Sequence, residues 1–264
     1  MLALLIDEVI KMIRESLYIL FNDEKSSDYG VTSVNTDSGL VEEPFLGSRT
    51  VNETYVKGRP EPYIEGVKQE PKQFPLNFYL GDHFDEKNVR AIKRWLSVDD
   101  YKPLAFSQNL DIVYYAMPVD TADLVHNAAR NGYVRLTMKC NSPYAYSRNA
   151  VTHAFDISSG SEIVELYNKG DVNIFPTLEI LKIGDGDIKI ENLSDFSEPF
   201  IFSNLKDKEL LKINGEKEII ESNLYGNERY DDFNDQYLRL SFGRNRLKVT
   251  GNCKLRFSFR YKYL

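Results

Sequence analysis

Few residues of the kinds that build catalytic or metal-binding sites are present in the sequence. Among its 264 residues are two cysteines, Cys140 and Cys253, and three histidines, His83, His126 and His153, with no two histidines at ligand spacing. Zinc sites need such ligands at short spacings, so no zinc signature is present. The G-x-S-x-G, Walker and G-x-G-x-x-G motifs are also missing. We therefore expect no catalytic residues, no cofactor and no metal.

The two cysteines are too few for a disulfide framework. Cys140 and Cys253 fall in separate predicted domains, and a disulfide requires Cα atoms within about 7 Å of each other. Two reduced, buried thiols are therefore expected rather than a bridge.

Long apolar runs are absent, and no stretch approaches the ~20 residues of a membrane span. The first residues are apolar, but Asp7, Glu8 and Lys11 interrupt them, so no export signal is expected. Apolar residues there recur every three or four positions, which predicts an amphipathic helix in an N-terminal extension, residues 1–16. A membrane-surface helix is the alternative, but its polar face is usually strongly basic, and this one carries both signs.

An excess of positive charge is lacking as well. The formal net charge is −7, whereas phosphate binding needs clustered Lys and Arg, so no specific nucleic-acid binding is expected. Hydrophobic residues make up 42% and charged residues 28% of the chain, a composition typical of soluble globular proteins. All aromatic residues but one are Tyr or Phe, which favour strands and predict a mainly β fold.

Residues 17–147 have the pattern of an α+β domain. Short β-like runs with many prolines in residues 47–80 predict edge strands or irregular connections. Asp85 is the expected cap of a helix with Val89 and Ile92 on its inner face. The predicted strands are residues 77–80, 104–106, 112–117 and 133–138, and residues 121–130 have a composition compatible with a helix or a loop.

Residues 148–264 have the pattern of an antiparallel β-sandwich, with short strands about every ten residues between turn residues. In the last strand aromatic and polar residues alternate strictly, so Phe257 and Phe259 are expected in the core. Arg256 and Arg260 are expected to face solvent or a neighbouring subunit. The predicted strands are residues 163–167, 177–183, 188–191, 200–202, 210–213, 218–220, 237–242, 246–249 and 254–263.

Three features allow a functional interpretation, and each has a structural alternative. Residues 184–187, with the sequence GDGD, could hold calcium but lack the distal Glu of an EF-hand, so a tight hairpin turn is favoured. Asp231, Asp232 and Asp235 could also hold calcium or form a solvated loop. Trp95 could be a binding platform, but beside an apolar helix face a core position is favoured.

The order of segments along the chain resembles the distal tail proteins of siphophages and related prophages. The resemblance covers nearly everything from Leu17 onward, and the helix before it departs from the family pattern. The matching segments are Phe21 to Gly30, Arg49-Thr50, Gly58-Arg59, Leu76-Asn77-Phe78, Trp95-Leu96-Ser97, Leu104 to Ser107, Tyr114-Tyr115-Ala116, Leu136 to Cys140, Pro143 to Tyr146, Asn192, Leu211 to Asn214 and Gly243 to Leu247.

The resemblance implies a non-catalytic protein that forms a hexameric ring at the virion tail tip and is assembled in the host cytoplasm. Residues 17–147 would form a belt between the major tail tube protein and the tail-associated hub or lysin protein. Tape measure and receptor-binding proteins are further implied partners. Residues 148–264 would form a galectin-like sandwich, with the last residues returning to the N-terminal domain.

A carbohydrate-binding module or host-surface adhesin is the alternative function, because galectin-like sandwiches can hold sugars. The second half of the chain has no tryptophan to stack on a sugar ring. Tyr225, Tyr230 and Tyr237 are the remaining candidates for that role.

Overall fold

The structure, a computed structural model, describes residues 17–34, 47–82, 85–126, 131–224 and 229–264. The predicted helix in residues 1–16, His83 and Tyr225 lie outside the described residues. The described part is mainly β, which confirms the predicted fold class. It divides into two compact units, the first comprising the residues up to Arg148 together with Leu264, and the second spanning Asn149–Tyr263. No helix in the described ranges is long and apolar enough to cross a membrane.

The first unit combines an antiparallel sheet, one α-helix and a separate two-stranded sheet. Its described elements are β1 Ile19–Phe21, β2 Glu24–Lys25, a 3-10 turn Ser26–Tyr29, β3 Thr32–Ser33, β4 Arg49–Thr54, β5 Tyr63–Gln69, β6 Gln73–Asp82, α1 Glu86–Leu96, β7 Lys102–Phe106, β8 Asn109–His126, β9 Asn131–Cys140 and β10 Ala145–Ser147. The strand order of the main sheet is β2-β1-β7-β8-β9-β6-β3, and β10 also pairs with β8. Strands β4 and β5 pair only with each other among the described strands.

Helix α1 begins where the sequence predicts. The Asp85 side chain accepts a hydrogen bond from the backbone N–H of Asn88 at 2.7 Å, which satisfies a donor left unpaired in the first turn. Ile92 and Trp95 on the helix are both 4% exposed and join the core formed by β1, β6, β7, β8 and β9. The helix therefore covers one face of the sheet.

Strand β8 corrects the prediction of a helix or loop for residues 121–126, because it continues as far as His126. Residues 127–130 lie outside the described residues. Its second half pairs with β9, with Asp123 opposite Arg135 and Leu124 opposite Val134. Pairing with a long neighbouring strand outweighs the weak helix preference of this composition.

The second unit is an antiparallel sandwich, as the strand spacing predicted. Its described elements are β11 Val151–Ile157, β12 Ser161–Asn168, β13 Thr177–Lys182, β14 Gly186–Asn192, β15 Phe200–Leu205, β16 Leu210–Asn214, β17 Ile219–Ser222, a 3-10 turn Tyr230–Asp232, β18 Gly243–Thr250, β19 Cys253–Phe259 and β20 Lys262–Tyr263. One sheet has the order β11-β19-β13-β16-β17 and the other β12-β18-β14-β15. Their inward side chains form one apolar core.

Strand β19 confirms the expected direction of its side chains. Phe257 is 0% and Phe259 6% exposed, so both belong to the core. Arg256 is exposed, whereas Arg260 is half-buried because β19 ends at Phe259 and the regular alternation ends with it.

Two other predictions in this unit are wrong. Residues 184–187 form no hairpin, because they connect β13 in one sheet to β14 in the other. Gly184 and Gly186 do adopt the positive φ expected of such a turn, +67° and +126°. Residues 237–242 form no strand, since only Leu240 bridges to Ile174 there. Leu240 is nevertheless buried. The alternation of apolar and polar residues therefore predicted its burial correctly, although residues 237–242 form no strand ladder.

Candidate interaction surfaces

Asp185 and Asp187, two of the aspartates considered for calcium, accept backbone N–H groups in turns. Asp185 accepts the N–H of Asp207 at 2.8 Å, and Asp207 accepts the N–H of Gly184 at 2.7 Å, so the two turns fasten each other. Asp187 accepts the N–H of Asn204 at 3.0 Å. Asp232 accepts a hydrogen bond from the guanidinium of Arg229 at 2.8 Å. Within the described ranges, no group of three or more His, Cys, Asp or Glu side chains could hold a metal ion.

Trp95 is a core residue, which confirms the favoured interpretation. Its indole N–H donates to the carbonyl oxygen of Phe21 at 3.0 Å, and its ring stacks on Tyr29 with centroids 4.9 Å apart. The aromatic ring of Phe21 meets it edge-on at 5.9 Å. A tryptophan with its N–H satisfied and its ring covered cannot serve as an exposed platform.

The tyrosines considered for sugar stacking also have structural contacts. The Tyr237 hydroxyl donates to the carbonyl oxygen of Glu218 at 3.1 Å, and its ring packs edge-on against Phe233 at 4.9 Å. The Tyr230 hydroxyl accepts the N–H of Ile220 at 3.2 Å. These contacts hold the loop that follows β17 against β17 and the residue before it.

Cys140 and Cys253 are both buried and free, which confirms that they are not bridged. Burial raises the pKa of the Cys140 thiol to about 12 and that of Cys253 to about 11. A thiol with so high a pKa is protonated near neutral pH and is a poor nucleophile.

The hairpin of β4 and β5 exposes apolar side chains on a sheet of only two strands. Val51 pairs directly with Val67, and these side chains are 45% and 55% exposed. Ile64, 67% exposed, is opposite Glu53 and lies on the same face. Tyr63, 53% exposed, has the guanidinium of Arg59 over its ring at 4.2 Å. We call this element, residues 49–69, the hairpin. Exposed apolar clusters of this kind mark sites of protein contact.

The main sheet of the first unit presents a second apolar surface on the face opposite α1. Tyr79, Tyr133 and Val125 lie side by side on β6, β9 and β8. The two tyrosine rings are 5.3 Å apart, and Val125 is 53% exposed. Met117 and Val119 on β8 extend the surface and are half-buried. We call these outward side chains of β6, β8 and β9 the open face. Neither it nor the hairpin could be recognised from the sequence, where the same residues fit ordinary strands.

Two protein-family models match the chain. One describes a phage tail protein N-terminal domain and matches residues 14–142, and the other describes a phage tail C-terminal domain and matches residues 144–259. The chain belongs to the phage tail proteins. The resemblance suggested by the sequence is thereby confirmed.

Individual phage proteins are similar to this tail protein over nearly their whole length. The SPbeta prophage-derived uncharacterized protein YomH of Bacillus subtilis (strain 168) is 51% identical over 253 residues, which cover 96% of this chain and 100% of that protein. The crystal structure of the SPP1 Dit protein has a TM-score of 0.69 at 15% identity and covers 94% of this chain and 99% of its own. At that identity the likeness shows a shared fold.

Proposed function

We propose that this tail protein forms a hexameric ring at the tail tip and joins the major tail tube protein to the tail-associated hub or lysin protein. Residues 17–147 would form the ring, and residues 148–264 the second domain. The observation that carries the proposal is the exposed hairpin on a chain whose fold is that of SPP1 Dit. SPP1 Dit is described as a paradigm of the hub adsorption apparatus in phages that infect Gram-positive bacteria. The proposed role is structural and needs no catalytic residue, cofactor or metal.

A two-stranded sheet gains little stability by itself, because both faces of an isolated hairpin meet water. Complete burial of a Val or Ile side chain contributes about 1.5–3 kcal/mol. Val51, Ile64 and Val67 are each roughly half exposed, so a partner that covers them would add roughly half of that free energy for each side chain. A contact that covers all three would therefore stabilise an assembly by a few kcal/mol at each interface.

The hairpin and the open face are different surfaces of one unit. When a surface of one copy binds a different surface of the next, the contact is head-to-tail, and such contacts generate a ring where the rotation closes. The open face presents Tyr79, Tyr133 and Val125 next to the charged pair Asp123 and Arg135. The apolar side chains of the hairpin of one copy are a suitable cover for the apolar part of that face on its neighbour. The proposed ring would then repeat one interface six times.

Light scattering and negative-stain imaging of the purified full chain, alone and with the adjacent hub protein, test the proposal. We expect six-fold rings, and we expect Ile64→Asp/Val67→Asp to remain monomeric because a carboxylate cannot be buried unpaired at the interface. Ile219→Asp, a similarly exposed position in the second unit, is the matched control and should assemble normally. A strict monomer under both conditions, or assembly of the hairpin variant, would count decisively against the ring.

A further inference from the structure

The hairpin contributes no side chain to the two apolar cores that the described residues form. Every residue of β4 is exposed, and over residues 49–69 only Pro62, Gly66 and Gln69 are half-buried. Burial of apolar side chains is the main source of strand stability, since a two-stranded sheet alone is at best marginally stable in water. The pairing of β4 with β5 therefore has little to stabilise it within its own subunit.

Local contacts between exposed side chains hold the two strands together. The guanidinium of Arg59 lies over the ring of Tyr63 at 4.2 Å, and the Thr54 hydroxyl donates to the carboxylate of Glu65. All four side chains are exposed, so water competes for each of these contacts and their net contribution to stability is small. These contacts favour the observed pairing without making it permanent.

Two features within the strands weaken the pairing further. The first is a change of register, because Asn52 lies opposite Gly66 whereas the next residue, Glu53, lies opposite Ile64. One residue of β5 is thereby left without a partner, which disrupts the ladder locally. The second is Gly66 itself, since glycine loses the most backbone freedom when a strand forms. A Cβ added there would meet no other atom of the described residues within 4 Å, and its φ is not positive, so neither space nor backbone conformation requires glycine.

We propose that the hairpin opens and closes readily in the free subunit and becomes fixed only when a neighbouring subunit covers its apolar face. The inference rests on the proposed function, because the neighbour supplies the burial that the hairpin lacks in its own subunit. When the binding-competent state of a protein is only partly populated, its apparent affinity is reduced by that fraction. Folding of the hairpin therefore regulates assembly. Contacts between single subunits are weakened, whereas a closed ring covers every hairpin and an open chain of subunits always leaves one uncovered.

Hydrogen exchange followed by mass spectrometry tests the free subunit. Val125→Asp places a carboxylate on the open face and leaves the hairpin unchanged, so it provides a monomeric full-length protein. We expect residues 49–69 of this variant to exchange almost as fast as an unfolded chain. Amides of β16, where Leu211 and Ile213 are buried in the sandwich core, are the internal control and should be protected on the order of a thousandfold or more. In the assembled wild type, protection of residues 49–69 should rise roughly tenfold or more.

Gly66→Thr tests whether the ordering of the hairpin controls assembly. Threonine favours an extended strand, and Gly66 lies on the side of the hairpin opposite Val51 and Val67, so the apolar contact surface is unchanged. We expect slower exchange of the free hairpin and a decrease of about two- to fivefold in the apparent Kd of assembly, measured by light scattering over a dilution series. Ser161→Thr, at an exposed strand position of the second unit, is the matched control and should leave both quantities unchanged.

Four results would overturn the inference. They are hairpin amides in the free subunit as protected as those of β16, no gain of protection on assembly, slower exchange in Gly66→Thr without stronger assembly, and an equal effect of Ser161→Thr. A wild type that never assembles would refute the ring and the coupling together. A hairpin that is already protected in the free subunit of a protein that does assemble would refute the coupling alone, so the two failures are distinguishable.

Discussion

A buried ion pair fixes the end of one loop of the sandwich and provides a quantitative test of its energetics. The side chain of Arg229 is 6% exposed and that of Glu209 is 0% exposed. The Nε of Arg229 lies 3.0 Å from Oε1 of Glu209, and Nη1 donates to Asp232 at 2.8 Å. The Nε–H has no acceptor in line within the described part of the chain, but Nη2 donates to Oε2 of Glu209 at 3.4 Å. Another guanidinium N–H donates to the carbonyl oxygen of Asn204 at 3.0 Å.

Substitution of Arg229 by methionine leaves Glu209 buried without its counter-charge. Glu209 would still accept the N–H of Lys206 at 2.9 Å and the hydroxyl of Ser222 at 3.0 Å, but neither neutralises it. Breaking a buried pair in this way costs about 3–5 kcal/mol, a large part of the ~5–15 kcal/mol stability of a domain. We expect the second unit of Arg229→Met to unfold at a much lower denaturant concentration.

Denaturant titration followed by circular dichroism measures this loss over all strands. Fluorescence of Trp95, the single tryptophan, reports the first unit alone and provides an internal reference. Arg256→Met removes an exposed partner of Glu179 and should cost under about 1 kcal/mol. The double variant Arg229→Met/Glu209→Met removes both buried charges and should recover part of the loss. A cost for Arg229→Met no larger than that for Arg256→Met, or strict additivity in the double variant, would refute the reasoning.

Two further predictions follow from buried side chains. Phe259→Ala should cost about 3–5 kcal/mol and lower the thermal midpoint sharply. Arg256→Ala, on the opposite side of β19, should leave the midpoint nearly unchanged. Equal midpoints for the two variants would mean that the face of β19 that carries Phe259 is not the buried one. Burial raises the pKa of Cys140 from the ordinary 9.0 to about 12 and that of Cys253 to about 11. Their contribution to stability is therefore complete below pH 9 and is lost as the pH rises through about 11 for Cys253 and about 12 for Cys140. Thermal melts across that range should fall less steeply for Cys140→Ala/Cys253→Ala than for the wild type.

The parts of the fold that were predictable depend on local information. Alternation along β19 places Phe257 and Phe259 inside because successive side chains on a strand point to opposite faces. The helix cap at Asp85 is predictable because it depends only on the Asp85 side chain and the backbone of the first helical turn. Strand β11 carries the same alternation, with Val151 and Phe155 partly buried on the inner side.

The predictions that were wrong concern features that depend on which strands become neighbours. The glycines of residues 184–187 specify a turn with positive φ, but they do not specify that β13 and β14 join different sheets. Residues 121–126 became a strand because β9 offered a long partner. The interaction surfaces could not be predicted for a related reason, since Val51 and Val67 have the same β preference whether they are covered or exposed.

The hairpin also limits how a partner can bind. A free strand edge invites pairing with any other chain, and natural sheets prevent this with bulges and charges at the edge. Strands β4 and β5 change register at Asn52 and Glu53, and the ion pair of Lys68 with Glu70 at 3.1 Å lies at the end of β5. Their apolar face carries Val51, Ile64 and Val67 with Glu53 beside them, and it is the surface left for a partner. The hairpin should therefore dock by packing this face about 10 Å above another sheet, as sheets pack in a sandwich, and not by adding a strand to its edge.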